Sequence, residues 1–247
     1  VIETEMPITI TTGENVINVV YSKDTFSYTV KYFYEKVGYT TEEERFVENE
    51  ELRSSYEALY GDEITTYEAQ NKTGFSFYKV NPIKLVVSEN EQANVINVYY
   101  VRNNYNFTIK HLYENLNGEY TENEDYRIED ETSFGSSINS EEQEKHEDDG
   151  YIFGNVDPEN MIIDTENNEM NFYYDLRDDL SYTVRYYKDS VSESNKLGND
   201  VVVGNQTFGS QVEASEINVN KEKPTGYQDG VIETEMPITI TTGENVI

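Results

Sequence analysis

The sequence contains no cysteine and no tryptophan, five prolines, and 18 Lys and Arg against 49 Asp and Glu. Without cysteine there are no disulfides, no thiol nucleophile and no Cys-ligated zinc. The compartment stays open, because cysteine-free chains occur inside and outside cells. A formal charge of −31 repels phosphate, which excludes a general nucleic-acid binder and disfavours anionic membrane surfaces. No apolar run approaches the ~20 residues that cross a bilayer, so membrane insertion is not expected. The start, VIETEMPITI, has no basic region followed by an apolar one and no initiator Met. It reads as part of a longer chain without a signal peptide at this point.

What is present is tyrosine and repetition. There are 22 Tyr among 247 residues. The hydrophobic fraction is 36%, below the usual ~45–50%. Tyr, Phe, Ile and Val nevertheless alternate in short runs, which argues against disorder and for half-buried strands. Residues 1–17, VIETEMPITITTGENVI, recur identically as residues 231–247. That offset of 230 residues reads as a window on a tandem array.

A shorter repeat lies inside the long one. YTVKYFY from Tyr28, FTIKHLY from Phe107 and YTVRYYK from Tyr182 open three modules, spaced by 79 and 75 residues. Each module then carries an aromatic–Gly–polar step (Tyr60-Gly61-Asp62, Phe134-Gly135-Ser136, Phe208-Gly209-Ser210). A Gly–aromatic step follows (Gly74-Phe75, Gly150-Tyr151, Gly226-Tyr227). The closing strand reads NVINVYY from Asn94, NEMNFYY from Asn168 and NVINVVY from Asn15. Residues 1–26 are thus the C-terminal part of a preceding module. Residues 27–105 and 106–180 are complete modules, and 181–247 is a third with its last strand incomplete. Hairpin turns are expected at Val37-Gly38, Asn117-Gly118 and Leu197-Gly198-Asn199. The extra length of the first module is placed near Glu48–Tyr60. There Leu52, Tyr56, Leu59 and Tyr60 have helical spacing and Gly61 supplies a stop, which predicts a short helix. Short linkers at Ser22–Ser27, Val101–Asn106 and Asp175–Ser181 predict a restrained, extended string.

The order of these marks resembles the mucin-binding-protein (MucBP) repeats of Gram-positive surface adhesins. The resemblance covers nearly the whole chain, once per module. It implies a mostly β fold with minor α: small, β-grasp-like modules arranged end to end as an elongated rod. It further implies an extracellular, cell-wall-attached location and, for some family members, binding to host mucin or glycans. The modules have no wall-sorting motif, and the family's hairpin survives loosely at Asn117-Gly118.

Catalysis needs converging groups, and the sequence offers none. His111 stands where the other modules have Tyr32 and Tyr186, and His146 lies in a charged run. Neither has a nucleophile motif nearby, so no enzyme and no cofactor are expected. Asp175, Asp178 and Asp179 form an acidic cluster in a linker, where calcium, with its 6–8 oxygen ligands, could stiffen a joint. The alternative is a solvated acidic surface. A Lys–Asn cross-link between opening and closing strands (Lys31 or Lys110 with Asn97 or Asn171) is disfavoured by Arg185 in the third module. Adjacent strand residues face opposite sides, so one Tyr of each pair should point outward. Tyr34, Tyr99, Tyr173 and Tyr187 are the candidate sugar-contacting residues, although cross-strand packing also explains the excess. Three functions follow: a non-catalytic stalk or adhesive rod of a large bacterial surface protein; direct mucin- or glycan-binding modules; or a subunit of a self-assembled extracellular fibre. Neighbouring repeats are the partners common to all three.

Overall fold

The computed structural model describes residues 4–247. The chain divides into two compact units. One runs to Tyr105 and includes Ser133–Ser136; the other comprises Asn106–Thr132 and Ser137–Ile247. The first expected module boundary, at 105/106, coincides with a division, whereas the second and third modules lie in one unit.

The fold is mostly β. Among the described residues the helical segments are all three-residue 3-10 turns, and no helix is long and apolar enough to cross a membrane. In the first unit the opening strand Thr25–Glu35 is central. Phe46–Glu48 and Ser54–Leu59 pair antiparallel with one edge, and the closing strand Val95–Arg102 runs parallel along the other. Phe75–Asn81 adds antiparallel to the far side of the closing strand. The second module repeats this order with Asn104–Glu114, Tyr120–Glu122, Ile128–Ser133, Glu169–Leu176 and Tyr151–Asp157. In the third, Leu180–Tyr187 pairs with Lys196–Gln206, and Val246 bridges Thr183 in parallel.

Alternation decides the core. Val30, Tyr32 and Tyr34 of the opening strand meet Ile96, Val98 and Tyr100 of the closing strand on one buried face. An irregular segment, not a helix, covers that face. Irregular backbone carries polar groups that must find partners when covered, and tyrosines supply them. The Tyr32 hydroxyl donates to Glu68 O at 2.8 Å, and the Tyr100 hydroxyl accepts from Gln70 N–H at 2.8 Å. In the second module Tyr113 donates to His146 O and Tyr174 accepts from His146 N–H. In the third, Tyr186 donates to Asn218 O.

The first Asn of each closing strand is a second recurring device. Asn94 accepts from Ser88 N–H and donates to Ser88 O and, across the sheet, to Ser27 O at 3.1 Å. Asn168 does the same with Asp164 and Asn106, and Asn245 with Thr241 and Ser181. The backbone carbonyl of each accepts from a Thr of the opening strand: Thr29, Thr108 and Thr183, at 2.8–2.9 Å. Each Asn thereby sets the register of the parallel pair from its first residue.

Three expectations need correction. The helix over Glu48–Tyr60 is instead a 3-10 turn, Glu50–Leu52, followed by the strand Ser54–Leu59. The opening strand's edge offers six registered partners from Thr25 to Val30, and Tyr56 stacks on Tyr28 at 5.3 Å. Ladder bonds and that cross-strand pair outweigh weak helical spacing. The extra residues of the first module lie in its hairpin. Lys36 N–H bonds Arg45 O there, where the second module closes from Asn115 N–H to Glu119 O. Finally, Leu197 and Gly198 lie inside a strand, and the third turn falls earlier, closed by Lys188 N–H to Asn195 O.

Replacing Asn94 by Ala should destabilise the first unit by about 2 kcal/mol, since it strands several partly buried partners. Tyr32→Phe, which loses one bond, should cost about 1 kcal/mol. Urea unfolding of both variants checks the order; equal, negligible losses would contradict the assigned roles.

Candidate functional site

The four candidate tyrosines do not form one site. Tyr34 is buried at 7% exposure. It shares the face of Tyr32, two residues away, because side chains alternate strictly along a strand. Its outward placement was therefore an error of phase. It stacks on Tyr100 at 5.2 Å, with the Lys72 ammonium 4.3 Å from the ring centroid. Tyr99, Tyr173 and Tyr187 lie on the opposite faces of their strands and are half-exposed. Tyr99 belongs to an aromatic group: it stacks on Phe33 at 5.0 Å and meets Phe46 edge-on, and Phe46 stacks on Tyr78. Arg45 lies over Phe46 and Tyr78, and Lys79 over Tyr78 and Tyr99. This outward face joins aromatic rings with cationic donors. Tyr173 meets Tyr120 edge-on at 5.1 Å, and Tyr187 lines a cavity of about 490 Å³ beside Leu197 and Tyr227.

Asp175 lies inside the strand Glu169–Leu176 and not in a linker, and it and Asp179 are engaged separately. Asp175 accepts from the Tyr120 hydroxyl, pushing that hydroxyl up to about 12. Asp179 takes a two-pronged bond from Arg177, at 2.9 Å for each arm, which holds its carboxyl below the usual range. Among the described residues no group of three or more His, Asp or Glu is placed to hold a metal ion. The cross-link candidates Lys31 and Asn97, and Lys110 and Asn171, are register partners. Lys110 is nevertheless ion-paired with Glu169, whose carboxyl it holds below the ordinary range.

Sequence reasoning passed over a buried histidine cluster. His111 is fully buried, stacked against Phe172 and Tyr174 of the neighbouring strand, with His146 edge-on at 4.7 Å. Its Nδ1 lies 2.9 Å from the Tyr174 hydroxyl, while Nε2 has no partner. Burial, reinforced by His146, lowers the His111 pKa to about 4. The replacement of Tyr by His at a core position of the opening strand was the signal.

The two glycine marks meet as a junction. Phe134, within the first unit, lies with its ring over Gly74, so close that a Cβ there would fall 2.3 Å from the ring. Phe134 N–H donates to Asn103 O, and Asn103 N–H donates to Gly74 O. Within the second unit Phe208 covers Gly150 in the same way, through Arg177. Both glycines have positive φ, 80° and 86°. Any other residue would strain the backbone and strike the ring.

His111 enters folding neutral, while an unfolded histidine titrates near 6.5. Between pH 6.5 and 4 the unfolded chain therefore binds the extra proton, so stability is lost as pH drops through that window and is fully present above it. Denaturant unfolding of wild type and His111→Phe at pH 7, 5.5 and 4.5 should show the steeper loss in wild type; parallel curves would contradict this. No family model matches the chain, and no curated protein matches it.

Proposed function

We propose that the chain is a stretch of a tandem array of non-catalytic β modules, acting as a stalk or adhesive rod in a large extracellular bacterial surface protein. The observation that carries this reading is the fate of one sequence in two places. Residues 238–247 pack onto the strands before them: Ile238 and Thr239 pair with Val212 and Gln211, and Val246 bridges Thr183. Ile240 is fully buried there. Among the described residues no opening strand pairs with the identical residues near the start, and Ile10 is 75% exposed. Ile17 and Tyr21 match Ile96 and Tyr100 of a complete closing strand, yet Tyr21 is 91% exposed against 3% for Tyr100. A segment built to close a sheet makes sense when a preceding module supplies that sheet.

The central parallel pair, flanked by antiparallel strands, supports a β-grasp-like reading and with it the resemblance to MucBP repeats. The high acidic charge suits a solvated, mutually repelling array. Direct mucin or glycan binding is the second reading, supported by the outward aromatic face of Phe33, Phe46, Tyr78 and Tyr99 with its cations. Assembly of separate chains into a fibre would have residues 1–26 of one chain supply the last strand that residues 181–247 of another lack.

Small-angle scattering on chains of one and two 230-residue units should give maximum dimensions that grow in proportion to length; a globular envelope would sink the rod. Binding to immobilised mucin at ~0.15 M salt, where charges are screened beyond ~8 Å, separates the readings. Saturable binding lost on deglycosylation and weakened by Tyr99→Ala favours the adhesive modules; no binding leaves the spacer.

A further inference from the structure

The chain shows the Gly–aromatic step three times, but among the described residues a ring covers it only twice. Gly74 and Gly150 are buried under Phe134 and Phe208. Gly226 has the same left-handed backbone, φ 91°, and the same turn: Tyr227 N–H bonds Pro224 O as Phe75 bonds Lys72 O and Tyr151 bonds Asp148 O. Among the described residues, its two chain neighbours apart, no heavy atom lies within 4 Å of where its Cβ would be. Tyr227 is 44% exposed, while Phe75 and Tyr151 are half-buried. A glycine held at positive φ in an open turn, matching two that are covered, is a seat without its ring.

The matching ring is also present. Tyr60 is the first aromatic–Gly step, is 51% exposed, and covers no glycine within the described residues. It is already posed as Phe134 is. Its N–H donates to Asp24 O at 2.9 Å, as Phe134 does to Asn103 O at 2.8 Å. Phe26 meets it edge-on at 6.2 Å and 65°, and Tyr105 meets Phe134 at the same distance and angle. A group held in its bound geometry loses little further freedom on docking.

Resting on the array reading, we propose that Gly226-Tyr227 is the docking seat for Tyr60 of the following 230-residue copy. That copy's Asp24 N–H donates to Gly226 O, as Asn103 does to Gly74 O. The chain length fits. Gly74 to Phe134 spans 60 residues and Gly150 to Phe208 spans 58. Gly226 to the next copy's Tyr60 spans 64, and the longer hairpin at Lys36–Arg45 contributes the surplus. The long repeat is thus joined by the same contact that joins the modules inside it. Tyr60 and Gly226 are the two halves of an interface between copies.

A glycine Hα beneath an aromatic ring moves upfield by ring current, which gives a direct test. In a glycine-labelled chain of two units, Gly74 and Gly150 report the formed junctions. One Gly226 signal should shift upfield to a similar extent, and the terminal Gly226 should not. The amide of Asp24 in the second copy should exchange as slowly as those of Asn103 and Arg177. Tyr60→Leu in the second copy should remove the Gly226 shift and leave Gly74 and Gly150 unchanged, which also shows that the variant folds. Two unshifted Gly226 signals, or a shift that survives Tyr60→Leu, would overturn the proposal. In the one-unit chain, a Gly226 shift that grows with concentration would support the same pairing between separate copies, and one independent of concentration would overturn it. Scattering from the same two-unit sample tests the rod separately, so either idea can fail alone.

Discussion

The structure depends on buried tyrosines that hydrogen bond to the backbone of the segment covering them. A sheet with one apolar face needs a second layer. A helix satisfies its own peptide groups, whereas an irregular segment does not. Here the covering segment is irregular, and Tyr32, Tyr100, Tyr113 and Tyr174 reach through the core to its N–H and C=O groups. The large ring supplies buried area and the hydroxyl supplies the bond. This accounts for a core that tolerates low overall hydrophobicity, and for tyrosine where a larger domain would use leucine. Where His111 takes the place of one such Tyr, the adjacent Tyr174 keeps the bond to the cover, and the histidine is left with an unpartnered nitrogen.

The asparagine at the start of each closing strand works with the tyrosines. Its amide closes a local turn and also reaches the opening strand. Asn15 and Asn245 separate these roles. Both close the same turn, accepting from the Thr four residues earlier at 3.0 Å and donating to that Thr's carbonyl at 2.9 Å. Asn245 alone of the two has the opening strand beside it and bonds Ser181 O. The turn is local chemistry, and the burial of Ile240 is not.

Much of the fold was legible because its marks recur in order. Alternation identified the opening and closing strands and most of their inward residues. The recurring glycines marked positions of positive φ, and Gly74 and Gly150 proved to be seats for rings. The predicted helix failed because spacing within a dozen residues cannot register an open strand edge nearby. Tyr34 was misplaced because Tyr pairs were read without carrying the alternation forward from Tyr32. The aromatic face of Tyr99 was half legible: its outward direction followed from periodicity, but Phe46 and Tyr78 join it from other strands and no sequence window contains all three.

By itself the sequence determined the repeat, the module order, the strand phases and the local asparagine turns, since each depends on residues a few positions apart. Tertiary structure alone decided that Ile240 is buried while its counterpart Ile10 is exposed, since a closing strand needs an opening strand to supply its hydrogen bonds and cover its apolar face. It likewise decided that an aromatic ring lies on a glycine some sixty residues away. That contact is read from neither residue's neighbours. It exists because the fold brings together a backbone without a side chain and a ring that fills its place.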